Sequence, residues 1–212
     1  ILGGARLSVC RMQHAFYRLP GLLSHALLLA AGFVPCIARL APCTNFDDCT
    51  PELLEALDSC DDVEIPPLPG GRSWPVLPLH IKCSNQRILL QQGTRLEAKR
   101  WAYKGRGDHL LHLDRVANIS IIGQPGATLR MHRDDYANAS LYNHSEGRHA
   151  IALLGAIDIT IQGVVVRESG GDGIYIGTGG LQVHGAFCQN IKVLDTVLTE
   201  NYRQGMSVIA VE

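Results

Sequence analysis

The feature that most constrains the fold of this chain is a short segment that returns three times. Residues 118–123, 158–163 and 190–195 each begin with Asn or Asp and continue with Ile-x-Ile or Ile-x-Val. Their starting positions lie 40 and 32 residues apart. A segment that recurs at variable spacing predicts stacked repeats, in which extra residues enter as loops at the turns.

Two further kinds of short apolar run accompany the repeated segment, one before it and one after it. The runs are residues 110–113, 150–154, 174–176 and 207–211 in the first kind, and 128–131 and 164–166 in the second. Three short strands per coil predict an all-β, right-handed parallel β-helix over residues 63–212. A β-sandwich or a propeller is the alternative, but the short strands and the constant phase of the repeat favour the β-helix.

The region before the strands predicts a capping helix, within residues 42–62. Thr50 and Pro51 are typical of a helix start, and Leu53 and Leu57 then fall on one face. Cysteines flank this helix, and we expect a disulfide between Cys49 and Cys60. The five cysteines after residue 41 are Cys43, Cys49, Cys60, Cys83 and Cys188, and an odd number leaves one without a partner within this sequence.

Residues 1–41 predict an N-terminal extension and a cleaved secretory signal. A stretch with Arg18 leads into the apolar run 21–34, and Cys36 and Ala38 offer small residues at a cleavage site. A membrane anchor is the alternative, but polar residues and Pro35 interrupt the run. We therefore expect a secreted protein that is free of the membrane after cleavage. Three sequons are the predicted glycan acceptors, at Asn118, Asn138 and Asn143.

The amino-acid composition limits the kinds of partner that we expect for this protein. The chain is 46% hydrophobic and 18% charged, which is typical of a globular protein, and its formal net charge is −1. Because no long basic run is present, nucleic acid is not expected as a partner. We expect a monomer. The sequence ends inside an apolar, strand-like run with no capping segment after it, so we expect a β-helix that is truncated at its C-terminus.

Residues 47–66 and 118–212 resemble the secreted pectin-lyase-like proteins, in which an acidic turn and an amphipathic helix lead into a coil repeat. The likeness covers roughly residues 45–212. It implies the β-helix fold and a polysaccharide or cell-surface glycan as the partner. It does not fix the activity, because this fold hosts lyases, hydrolases, epimerases and non-catalytic adhesins.

Four loops lead into the same strand of successive coils and should therefore form one ridge. They are residues 103–109, 132–149, 167–172 and 199–204. Stacked coils lie about 5 Å apart, so positions 109, 149, 172 and 204 should be close in space. The expected substrate-binding residues on this ridge are Arg148, Asp134, Asp135, Tyr136, Tyr202 and Gln204.

The same ridge holds the candidate catalytic residues, which are Asp172, Arg203, Glu168 and His149. Residues 169–176 resemble the Asn-Thr-Asp-Gly-Ile-Asp-Ile motif of polygalacturonase-like hydrolases, and by that likeness Asp172 matches the first catalytic aspartate. The next coil has Tyr202 and Arg203 where those enzymes carry the paired aspartate.

An arginine beside a carboxylate favours removal of the C5 proton of a uronate, as in polysaccharide lyases and uronate epimerases. The expected base is Arg203, Tyr202 or His149. Calcium is a candidate cofactor, because Asp134, Asp135, Glu168 and Asp172 offer oxygen ligands. A glycosidase is the less favoured enzyme. The alternative to an enzyme is a non-catalytic glycan-binding or structural β-helix.

Overall fold

The computed structural model describes residues 36–178 and 187–212. The predicted signal run and most of the insertion at 178–187 lie outside the described residues. No helix among the described residues is long and apolar enough to cross a bilayer.

The described residues wind into five coils, each built from three short strands. In chain order the strands are β1 (Val63–Ile65), β2 (Trp74–Val76), β3 (Leu79–Ile81), β4 (Gln86–Leu90), β5 (Arg95–Ala98), β6 (Leu111–Asp114), β7 (Ala117–Gly123), β8 (Thr128–Arg130), β9 (Ile151–Leu154), β10 (Ile157–Gln162), β11 (Val165–Arg167), β12 (Ile174–Gly177), β13 (Gln189–Leu194), β14 (Val197–Thr199) and β15 (Met206–Val208). The predicted right-handed parallel β-helix is confirmed.

Strands of the same type stack into three parallel sheets of five. The first sheet is β1-β4-β7-β10-β13, the second is β2-β5-β8-β11-β14, and the third is β3-β6-β9-β12-β15. Every pairing between neighbouring strands is parallel and in register. Loops that join the second sheet to the third therefore lie along one edge of the molecule.

The repeated segment forms the first sheet, and its alternation fills the core. Ile119 pairs with Ile159, and Ile159 pairs with Ile191. The first two are fully buried, and Ile191 packs against the same core. Burial of one such side chain contributes roughly 1.5–3 kcal/mol. The repeated segment must therefore recur at the same position in each coil, because its buried isoleucines stack on one another in the core.

The backbone conformation explains why each repeat begins with Asn or Asp. Asn85, Asn118, Asp158 and Asn190 all have positive φ angles, between 50° and 61°, a conformation that Asn and Asp tolerate better than most residues. Their side chains also bond between coils: Asn118 Nδ2 donates to Asn85 Oδ1 at 3.0 Å. Asn190 Nδ2 donates in the same way to Asp158 Oδ1 at 2.6 Å.

The predicted capping helix is confirmed as α1 (Thr50–Leu57), and its buried face is continuous with the β-helix core. Leu53, Ala56 and Leu57 are buried, and Pro51 occupies the first turn. The structure adds a 3-10 helix at Pro69–Gly71. It also adds a helix that the sequence did not predict, α2 (Arg133–Ala137), inside the longest loop.

The predicted Cys49–Cys60 disulfide is wrong. Cys49 is bonded to Cys43 instead, and Cys60 is bonded to Cys83, with Cα separations of 5.3 and 5.2 Å. Helix α1 stands between Cys49 and Cys60, and eight helical residues span about 12 Å, which is beyond the reach of a disulfide. Among the described residues Cys188 is free and buried.

Candidate functional site

Loops between the second and third sheets form the predicted ridge. Positions 109, 149, 172 and 204 form a continuous column along it. The ring of His149 stacks on that of His109 at 5.3 Å. The backbone N–H of Asp172 donates to His149 Nδ1 at 2.9 Å, and the N–H of Gln204 donates to Asp172 Oδ1 at 3.2 Å. The prediction that these four positions meet is confirmed. We call the loops 99–110, 131–150, 168–173 and 200–205 the loop ridge.

The long loop of the third coil lies directly over the short loop of the fourth. Two glycines allow this approach. A Cβ on Gly171 would lie 2.3 Å from the carbonyl oxygen of Glu146, and one on Gly170 would lie 2.5 Å from the ring of Tyr136. The long loop of the third coil can therefore extend past the short loop of the fourth coil and contact the loop of the fifth. Sequence alignment of the repeats gave no sign of this contact.

Asp172 is buried at the centre of the column, with 1% of its surface exposed. Its Oδ1 accepts the Gln204 bond, while Oδ2 is buried without a hydrogen-bond partner among the described residues. Arg203 Nε lies 3.8 Å from Oδ1. A buried carboxylate needs such a positive group beside it, and this separation is that of an ion pair rather than a hydrogen bond.

His149 is buried and neutral. Burial lowers the pKa of its imidazole to about 4, although Asp172 acts in the opposite direction. Because Nδ1 accepts the Asp172 N–H, the ring proton belongs on Nε2. The ring is also stacked on that of Tyr175 at 4.6 Å. His149 is therefore positioned to orient Asp172 rather than to meet a substrate as a base.

Arg203 is the accessible member of the predicted catalytic group. Its side chain is 39% exposed, and Nη1 forms an ion pair with Glu146 Oε2 at 3.2 Å. Beside it Tyr202 is equally exposed, and its ring meets that of His144 edge-on at 6.3 Å. We call the exposed residues His144, Glu146, Tyr202 and Arg203, with the buried Asp172 and His149 below them, the loop site. Gln204 lies next to it, and its amide oxygen accepts a bond from Ser207.

Arg148 and Tyr136 do not reach the surface of the ridge, so their predicted direct contact with substrate is wrong. Arg148 is fully buried and its guanidinium donates to the backbone oxygens of Tyr103 and Asn143. Tyr136 is buried beside it, with the Arg148 guanidinium 5.7 Å from its ring. Both residues hold the long loop together.

The remaining predicted carboxylates lie apart from the loop site, on the side of the second sheet. Each has its own cationic partner. Asp135 accepts two bonds from Arg100, at 2.6 and 2.8 Å, which lowers the pKa of its carboxyl group. Glu168 lies 2.8 Å from Arg130. The 89% exposed side chain of Asp134 pairs with Arg133.

These positions do not fit the calcium site predicted from Asp134, Asp135, Glu168 and Asp172. A calcium ion requires several oxygen ligands that converge on one point. Within residues 36–178 and 187–212, no three His, Cys, Asp or Glu side chains converge in a way that could hold a metal ion.

The three sequons differ in their surroundings. Asn118 uses its amide in the ladder with Asn85, and Asn138 Oδ1 accepts the backbone N–H of Ser140. Asn143 is exposed on the long loop. Glycosylation at these sites stays a prediction.

Comparison with known proteins gives little beyond this geometry. No family model matches the chain, and no curated protein matches it. A solved structure from Parabacteroides merdae ATCC 43184, of a protein provisionally described as a glycosyl hydrolase, is similar at 16% sequence identity with a TM-score of 0.48. The alignment covers 78% of this chain and 92% of that one.

Proposed function

We propose that this chain is a secreted, pectin-lyase-like protein that acts on an acidic polysaccharide at the loop site. The observation that carries the proposal is the exposed guanidinium of Arg203, held between Glu146 and the buried Asp172. An arginine fixed in this way presents its remaining N–H groups in one direction, which suits the carboxylate of a uronic acid.

The chemistry that this arrangement supports best is removal of the C5 proton of the bound uronate. The proton lies next to the carboxylate, so negative charge develops on the carboxylate oxygens as it leaves, and Arg203 stabilises that charge. An arginine between two carboxylates keeps its own proton, so Arg203 is the electrostatic group and not the base. In a lyase the C4–O4 bond then breaks, a C4=C5 double bond forms, and the leaving oxygen takes up a proton from the protonated base or from water. In an epimerase water returns a proton to C5 from the opposite face.

Tyr202 is the base candidate that remains, since His149 is buried and its Nδ1 already accepts a bond. His144 is a second exposed side chain at the loop site, and its ring contacts that of Tyr202. Asp172 and His149 are positioning residues, because both are too deeply buried to contact a substrate. A hydrolase with two catalytic carboxylates is disfavoured, because Asp172 is buried and Glu168 pairs with Arg130.

A non-catalytic glycan-binding module is the second candidate. One observation favours it: the predicted catalytic residues Asp172 and His149 are both buried, so the exposed part of the loop site is small. In that case Arg203 binds a uronate carboxylate without turnover. The two candidates share a ligand and differ only in whether a product forms.

A panel of polysaccharides distinguishes the candidates. Polygalacturonate, alginate and a neutral glucan are incubated with the chain, and unsaturated uronates, new reducing ends and proton exchange at C5 are measured. We expect product only from acidic members, and Arg203→Ala should lower kcat/KM by roughly 10²- to 10³-fold. Tyr202→Phe tests the base.

The matched control is Arg115→Ala, an exposed arginine paired with Asp114 outside the loop ridge. It should leave activity unchanged. Binding of polygalacturonate that depends on Arg203, without any product, would select the non-catalytic candidate. Equal behaviour of the Arg203 and Arg115 variants would reject the loop site altogether.

A further inference from the structure

The buried side chains of His149 and Asp172 lie beneath Arg203, and the reaction proposed above uses neither of them for proton transfer. His149 Nδ1 accepts the backbone N–H of Asp172 at 2.9 Å, and the same nitrogen lies 3.5 Å from Asp172 Oδ2. Oδ2 is buried and has no hydrogen-bond partner within the described residues. A proton that enters this pair therefore has two acceptors, the imidazole nitrogen and the carboxylate oxygen.

The surroundings of His149 hold its ring in place. The ring stacks on those of His109 and Tyr175, with centroids 5.3 and 4.6 Å away. A Cβ on Gly171 would lie 2.8 Å from Nδ1, so the loop of the fourth coil also packs closely against the ring. Burial lowers the pKa of His109 to about 3, and this neighbour is therefore neutral when His149 takes up a proton. The pair thus gains a proton without a large movement of the ring.

The charges at the loop site couple the pair to Arg203. Burial is the main cause that lowers the pKa of His149 to about 4, while the Asp172 carboxylate raises this pKa and the Arg203 guanidinium lowers it. Arg203 Nε lies 3.8 Å from Asp172 Oδ1, and its Nη1 lies 3.2 Å from Glu146 Oε2. A proton on either member of the pair cancels the buried charge that faces Nε, whichever atom holds it. Glu146 is then the stronger ionic partner of Arg203.

We propose that the His149–Asp172 pair is an acid-operated switch that controls the position of Arg203. When the pair takes up one proton from solvent, the ion pair between Arg203 and Asp172 is lost, and the guanidinium moves towards the exposed carboxylate of Glu146. Before proton uptake two carboxylates face one guanidinium, so the group carries a net negative charge, and the proton removes that charge. A further consequence rests on the proposed function: an anionic sugar meets less repulsion at the loop site and binds more tightly in acid.

The switch itself is tested without a ligand. Side-chain ¹⁵N spectra of histidine and arginine are recorded on the whole chain from roughly pH 7 to roughly pH 3.5. We expect the His149 ring and Arg203 Nε to shift with one common midpoint. Arg203→Gln should raise the pKa of His149 and Asp172→Asn should lower it, because each removes one of the two charges that act on the ring. Arg115→Ala is the matched control and should leave this pKa unchanged.

Asp172→Asn also tests the switch at neutral pH, where the fold is not under acid stress. It removes the buried charge with little change of shape, so at neutral pH Arg203 Nε should already give the resonance that the unsubstituted chain reaches only in acid. Two results would overturn the switch: a wild-type Arg203 resonance in Asp172→Asn, or a pKa of His149 that does not change in Arg203→Gln.

The effect on ligand binding is measured separately with trigalacturonate. Calorimetry at roughly pH 6.5 and roughly pH 4.5, in buffers of different ionisation enthalpy, should show proton uptake on binding and roughly threefold tighter binding at the lower pH. Asp172→Asn should abolish this dependence, and His144→Gln, which removes the exposed histidine of the site, should keep it. If trigalacturonate does not bind while His149 and Arg203 still titrate together, the proposed function fails and the switch stands. Equal affinity at the two pH values would overturn the effect of the switch on the site.

Discussion

At the scale of single residues, buried polar groups determine how the loop ridge holds together. Arg148 is the largest of them: a fully buried guanidinium, with burial lowering its pKa, that satisfies backbone oxygens of two loops. The sequence predicted that Arg148 binds substrate, because arginines on loops are usually exposed. Nothing in its neighbours along the chain indicates that the long loop folds over it.

Replacement of Arg148 should therefore affect stability before function. Arg148→Met leaves the carbonyl oxygens of Tyr103 and Asn143 without their donor, and we expect a loss of about 2–4 kcal/mol in the free energy of unfolding. Chemical denaturation measures the difference. Arg115→Met is the exposed control and should change stability by less than about 0.5 kcal/mol. Equal stability of the two variants would contradict the role given to Arg148.

Gly171 offers a second test at this scale. Gly171→Ala places a Cβ 2.3 Å from the Glu146 carbonyl oxygen, which is backbone and cannot move aside cheaply. We expect a loss of about 1–3 kcal/mol and a displaced Glu146. Gly107→Ala is the matched control, since its Cβ would meet nothing within 4 Å. A fully stable Gly171→Ala protein would show that the long loop does not lie over this glycine.

At the scale of elements, histidine rings on the third sheet and just before its strands stack from one coil to the next. His80 stacks on His112 at 4.6 Å, His109 lies 5.2 Å from His112, and His109 stacks on His149. Burial is the main cause that lowers the pKa of His109 to about 3, and it also lowers the pKa of His112. The imidazole of His109 is therefore neutral in the folded protein at moderately acidic pH, whereas the same side chain takes up a proton there in the unfolded chain.

The sign of the pH dependence follows from this difference. Well above pH 6.5 His109 is neutral in both the folded and the unfolded state, so it does not affect stability. Between pH 6.5 and about 3 the unfolded state binds more protons at this residue, and stability should fall as the pH falls. Urea midpoints between pH 7.5 and 4.5 measure the slope. His109→Leu should reduce it and the exposed control His144→Leu should not; an identical slope in the His109 variant would contradict the buried stack.

The disulfides belong to the same scale. Cys43–Cys49 closes the turn before α1, and Cys60–Cys83 joins the segment after α1 to the turn between β3 and β4. Non-reducing peptide mapping should recover Cys43 with Cys49 and Cys60 with Cys83. Cys60→Ser/Cys83→Ser should cost about 2–4 kcal/mol, as expected for loss of a disulfide that closes a loop of this length. Recovery of a Cys49–Cys60 peptide would restore the sequence prediction and contradict the structure.

At the scale of the whole molecule, the repeat predicted the architecture better than the site. The Ile-x-Ile rows bury hydrophobic surface in register, so their positions are visible in sequence, and the order of the loops follows from them. The contact between Glu146 and Arg203 was not predictable, because it depends on how far one long loop extends over its neighbour.

The central claim is that coils stacked in phase bring distant loops together into a site for acidic sugars. A crystal structure of the chain with bound trigalacturonate tests it most directly. The account predicts a sugar carboxylate within hydrogen-bonding distance of Arg203, beside Tyr202 and Glu146, on parallel strands that stack as described. Antiparallel strands, or sugar bound only at a face that does not include Arg203, would contradict it.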